Sequence, residues 1–153
     1  MRVNAIQIAT VVTVLGLATF PPTVSAECAI EIKAPAKGDG VGKEVMVSGT
    51  AGLPPEAHLW VLAGIQGLKQ WWPQGGGDAI IEDGQWSVLA FIGQQQDVNR
   101  TFRISAIAVN EETHIELKKW VEEAPKRDYA PITFPNTFPG CPPVQVTVTK
   151  VSH

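Results

Sequence analysis

Apolar side chains recur at every second position in segment after segment of this chain. Ile30 and Ile32 alternate with Glu31 and Lys33, and Val45 and Val47 with Glu44, Met46 and Ser48. Trp86, Val88, Ala90 and Ile92 share one side of Gln85 to Ile92; Phe102, Ile104, Ala106 and Ala108 oppose Arg103 and Ser105; Val144, Val146 and Val148 oppose Gln145, Thr147 and Thr149. A period of two puts successive side chains on opposite faces of an extended strand, so each segment reads as a strand with one buried face. The run His58 to Ala63 (HLWVLA) is apolar on both faces and reads as a central strand.

Between these segments the chain carries turn chemistry: Pro35 to Gly42, Gly52 to Pro55, Gly75 to Asp78, Asp83-Gly84 and Gly93 to Asn99. Asp83-Gly84 just before Trp86 is a hairpin signal, because both residue types tolerate positive φ. One stretch departs from the period. Asn110 is a suitable N-cap for a helix from Glu111 to about Glu123, with His114, Leu117, Val121 and Ala124 along one side and Pro125 ending it. Pro125 to Pro143 holds six prolines and reads as an irregular crossing to the last strand. Six or seven short strands with one inserted helix before the last, and no regular helix–strand alternation, predict an all-β, immunoglobulin-like antiparallel β-sandwich.

Residues 1–26 read as a secretory signal peptide: Arg2, the apolar run Ala5 to Ala18, a Pro21-Pro22 break and Val24-Ser25-Ala26 before the expected cleavage. The run is shorter than the roughly 20 residues of a membrane span. Residues 27–153 are then one exported domain, periplasmic or secreted, with no membrane span. Cys28 and Cys141 are the two cysteines, and an oxidising compartment favours a disulfide between them over free thiols or an intermolecular bond. Should the first and last strands run parallel at one edge, both cysteines would sit at the same end. Asn99-Arg100-Thr101 is formally an N-glycosylation sequon.

Several stretches together resemble bacterial extracytoplasmic Ig-like domains: the Ala34-Pro35 turn, Val47-Ser48-Gly49-Thr50, Leu59-Trp60-Val61, Trp71-Trp72-Pro73-Gln74-Gly75-Gly76, Asp83-Gly84-Gln85-Trp86-Ser87 and Val146-Thr147-Val148-Thr149-Lys150. The resemblance spans nearly all of residues 27–153 and implies a fold and a compartment. It differs from antibody domains in placing its cysteines near the two ends of that region. No functional residue is carried over from it.

Chemistry is harder to find. With 12 basic and 15 acidic residues the net charge is -3, which supplies no basic field for nucleic acid or an anionic membrane surface. No serine sits in a GxSxG elbow. His58 and His114 are too distant in sequence to form a metal-ligand spacing, and no HExxH or CxxC pair occurs, so no metal and no cofactor is expected. His114 beside Leu117 reads more simply as a packed or capping histidine. Asp39, Asp78 and Asp97 in polar loops offer oxygen ligands for calcium but lack EF-hand spacing.

The stretch most suggestive of recognition is Gln70-Trp71-Trp72-Pro73-Gln74 before three glycines. Adjacent strand residues face opposite sides, so at most one of Trp71 and Trp72 enters the core in regular β geometry. The other is free to anchor a protein or glycan partner, with Gln70 and Gln74 beside it, or lies over the sandwich edge or under the proline-rich crossing. The expected function is a non-enzymatic exported binding or accessory module that recognises a protein or carbohydrate partner through loops or an edge strand. The alternatives are a small hydrolase using His58, Glu82, Asp83 and His114, or a structural protein of the envelope.

Overall fold

The computed structural model describes residues 27–152; the expected leader, residues 1–26, lies outside them, as does His153. In order come β1 (Ala29–Ala34), β2 (Gly40–Val41), β3 (Glu44–Gly52), β4 (His58–Ile65), β5 (Trp72–Pro73), β6 (Gln85–Phe91), β7 (Thr101–Val109), α1 (Glu111–Glu123) and β8 (Val144–Lys150). The protein is mostly β, in two sheets. One is three-stranded, ordered β1-β3-β6; the other is five-stranded, ordered β2-β8-β7-β4-β5.

The alternating segments form strands where the period placed them, and the alternation sets their faces. In β6, Trp86, Val88 and Ala90 are buried while Gln85, Ser87, Leu89 and Phe91 are exposed. They meet Val47, Leu59, Val61, Ala63, Ile104, Ala106 and Val148 in an apolar layer between the sheets. Burial of this kind is the main favourable term in folding. The segment from Ala34 to Gly40 carries the chain from one sheet to the other, so that β1 pairs antiparallel with β3 whereas β2 pairs parallel with β8. The five-stranded sheet is therefore mixed, and the expectation of a wholly antiparallel architecture is corrected at this edge.

β4 and β7 are buried on both sides because a third layer covers the outer face of the five-stranded sheet. Trp60 and Leu62 of β4, and Ile107 and Val109 of β7, pack there against Leu117 and Val121 of α1, and against Trp71, Ile132 and Phe134. Helix α1 begins as its sequence directs: the Asn110 side chain accepts a hydrogen bond from the Thr113 amide at 2.9 Å, and Glu111 and Glu112 occupy the first turn, where the helix dipole favours negative charge. After α1, a short 3-10 turn Ala124–Arg127 leads into the proline-rich crossing.

Cys28 and Cys141 form an intramolecular disulfide, with Cα atoms 5.2 Å apart across 113 residues of sequence. The pairing is as expected, but the parallel edge invoked for it is not how it arises. β1 and β8 belong to different sheets, and the bond ties the start of one sheet to the segment that enters the last strand of the other. No helix among the described residues is long and apolar enough to cross a membrane.

Candidate functional site

The tryptophan segment is engaged by the fold. Trp71 is 3% exposed. Its amide and carbonyl exchange hydrogen bonds of 3.0 and 2.9 Å with Ile132 of the crossing, the Phe134 ring meets its indole edge-on at 5.0 Å between centroids, and the Arg103 guanidinium lies 4.3 Å over it. This is the position under the proline-rich crossing. Trp72 is half-buried in β5 opposite Ala63, and its indole N–H donates to the Tyr129 carbonyl at 2.8 Å. Gln74 is buried: its side-chain Nε2 donates to the Trp72 carbonyl at 3.0 Å, and its side-chain oxygen accepts from the Phe91 amide at 2.8 Å. Only Gln70 stands free at the surface. Of the four residues, Trp71 and Gln74 are thus buried in the fold, Trp72 is half-buried and Gln70 is exposed.

A cluster that spacing did not foretell forms where β4 begins beside the first turns of α1. His58 and Trp60, two residues apart, face the helix from β4; Glu111 and His114 face back from α1; Asp78 reaches in from the loop after β5. The rings of His58 and His114 stack with centroids 3.8 Å apart and planes within 8°. His58 Nε2 lies 2.7 Å from Glu111 Oε2, and His58 Nδ1 lies 3.5 Å from Asp78 Oδ2. Beneath them, the Trp60 indole N–H donates to His114 Nδ1 at 3.1 Å. His114 is 8% exposed and Trp60 wholly buried.

His58, Asp78 and His114 each place one nitrogen or oxygen within 4.8 Å of the others, a separation at which a divalent cation has to be considered. Two features oppose it. Imidazole lone pairs lie in the ring plane, so two nearly parallel stacked rings cannot both aim at one ion 2.0–2.1 Å away. The second is the hydrogen bond beneath. Indole N–H is a donor only, so His114 Nδ1 must carry the lone pair and Nε2 the proton. A metal-binding histidine instead donates its other N–H to an acceptor. The arrangement is a hydrogen-bonded stack rather than a ligand set.

The same geometry sets the titration of His114. Burial lowers its pKa from the ordinary 6.5, and the neighbouring His58 lowers it further; Asp78 and Glu111 act the other way, and Lys118 adds a smaller lowering. The cause is familiar: burial and a like charge both disfavour the cation.

Elsewhere, the loop carboxylates serve their own turns. Asp39 Oδ2 accepts from the Ala36 amide at 2.8 Å, and Asp97 Oδ2 from the Gln94 amide at 2.7 Å. Glu82 and Asp83 form the turn into β6, where Glu82 bridges Gln85, and neither bonds to a histidine. On the outer face of the three-stranded sheet, Met46 and Leu89 oppose each other across β3 and β6, with Phe91 two residues on. These three are 53%, 40% and 52% exposed.

No protein-family model matches the chain, and no curated protein matches it.

Proposed function

We propose that the protein is an exported, non-enzymatic binding module that docks a protein partner on the outer face of its three-stranded sheet. The observation that carries this reading is the contiguous strip Met46, Leu89 and Phe91, exposed on the face of β6 and its neighbour β3. Isolated surface apolar residues are ordinary, but three at neighbouring positions on one face of a strand pair, rimmed by Ser48, Ser87 and Glu44, make a small patch of the kind interfaces use. β6 is also an edge strand, with no strand among the described residues on its side away from β3, where the Gln74 side chain caps the Phe91 amide and Glu82 pairs with Gln85.

The compartment in this reading rests on the leader pattern of residues 1–26 and on the Cys28–Cys141 bridge. An immunoglobulin-like assignment is supported by the strand order, three strands packed on five, with the chain changing sheets between β1 and β2. Binding is favoured over catalysis because His114 Nδ1 is taken by Trp60 and both His58 nitrogens face carboxylates. No hydroxyl or thiol among the described residues is hydrogen-bonded to either ring, as nucleophile activation requires.

A photo-crosslinking residue at position 89, compared with one at Ile115 on α1, tests the proposal in the native envelope. The expected result is a discrete protein adduct from position 89, lost in Phe91→Lys and absent from position 115. Adducts from both positions alike, or from neither, refute it.

A further inference from the structure

We propose that Trp60, His114 and His58 form an acid-labile latch, which holds the first turns of α1 on the five-stranded sheet near neutral pH and releases them when His114 takes up a proton. The argument starts from the tautomer. With Nδ1 accepting the indole N–H at 3.1 Å, the neutral ring already carries its proton on Nε2, so Nδ1 is the only place for a second one. That proton would confront the N–H of a buried indole, a donor with no lone pair to offer. Protonation thus converts the hydrogen bond that joins helix to sheet into an opposition of two donors, and leaves a buried polar group without a partner.

The charge has little to balance it. The titratable and charged groups facing His114 are His58 from β4, Asp78 from the loop after β5, and Glu111 and Lys118 from α1 itself. Asp78 and Glu111 are both directed at the two nitrogens of His58, so they hold that ring in the stack and only partly offset a cation on its neighbour. A charged His114 stacked 3.8 Å from His58 is relieved by moving into water, and His114 lies in the second turn of α1. Its departure carries Leu117 away from Trp60, Ile107 and Val109, the apolar surface beneath. The released state exposes that surface, so the latch couples acidification to a new apolar face on the opposite side of the molecule from the Met46 strip.

Hydrogen exchange and nuclear magnetic resonance of the full chain between pH 7.5 and pH 5 test the latch. Protection factors for α1 amides, corrected for intrinsic rates, are expected to fall by up to about tenfold per pH unit below about 6.5, until the latched ring itself titrates. Amides of β7 should keep their protection, and the Trp60 indole N–H resonance should move with the His114 midpoint. His114→Gln, which can still accept from Trp60 but takes no proton, is expected to flatten the profile. His58→Gln is expected to raise the His114 midpoint and gives a second reading should the first variant not fold. Protection of α1 that stays flat with pH, that falls together with β7, or that keeps its slope in His114→Gln overturns the proposal, as does an indole resonance that ignores the titration.

Discussion

Replacing Trp71 with alanine separates the two roles open to a double tryptophan. The indole is 3% exposed, so the substitution removes nearly all of a side chain that buries on the order of 200 Å², or about 5 kcal/mol of transfer free energy at ~25 cal/mol per Å². Loss of the Arg103 stack adds about 0.5–1 kcal/mol, and partial collapse of Ile132 and Phe134 into the space returns some of it. The expected destabilisation is about 4 kcal/mol, within the range found for large aromatic truncations, and a large part of the 5–15 kcal/mol a domain typically holds. Trp72→Phe keeps a ring and loses only the N–H donated to the Tyr129 carbonyl, for about 1 kcal/mol. Urea unfolding followed by far-ultraviolet circular dichroism measures both, since each substitution removes one of the five indoles and so alters the fluorescence baseline itself. A Trp71→Ala midpoint that matches wild type, at an unchanged slope, would refute the placement of this indole beneath the crossing and return it to the surface as a partner anchor.

Other perturbations reach the remaining parts of the fold. A methyl at Gly49 would run into the Glu31 carbonyl of β1 and the Trp86 ring, so Gly49→Ala should cost about 3 kcal/mol in chemical denaturation by pushing β1 off the sheet; a neutral result would contradict the close β1–β3 approach. Cys28→Ser with Cys141→Ser removes a 113-residue cross-link, for which the chain-entropy treatment gives about 5 kcal/mol, read as a lower melting temperature that matches the reduced wild type. Asn110→Ala removes the cap on α1 and should lower stability by about 1 kcal/mol; Asn110→Asp, which keeps the acceptor, should not. Since His114 titrates below its ordinary 6.5 when folded, the unfolded chain takes up its proton first as pH falls. Stability is therefore unaffected by this group well above pH 6.5 and declines below it by up to about 1.4 kcal/mol per pH unit until the folded ring titrates. His114→Gln should remove that component from the melting profile.

How far the structure was legible depends on which interactions are local. Strand faces follow from parity alone, and parity holds even where composition argues against it. In β8 the inward series Val146, Val148 continues to Lys150, which is wholly buried with its Nζ donating to the Ile92 carbonyl at 2.7 Å, because a one-residue slip would turn the whole strand outward. The N-cap of α1 is equally local and was readable from Asn110 and its neighbours. The histidine stack is of a different kind. His58 and His114 stand 56 residues apart in sequence, and what unites them is the face of the sheet on which α1 lies after β7. Had the apolar second face of β4 been taken as a demand for cover, the helix was the obvious element to supply it. Trp60 and His58 would then have been placed against the His114 and Leu117 side of α1. The same demand decides between the tryptophans: the outer layer needs apolar cover at the β4 edge, where the chain returns through Ile132 and Phe134, and Trp71 is the residue whose parity points there. Interactions within one strand or one helix turn are written in spacing, whereas those between layers become readable only once every doubly apolar strand has been assigned a cover on each side.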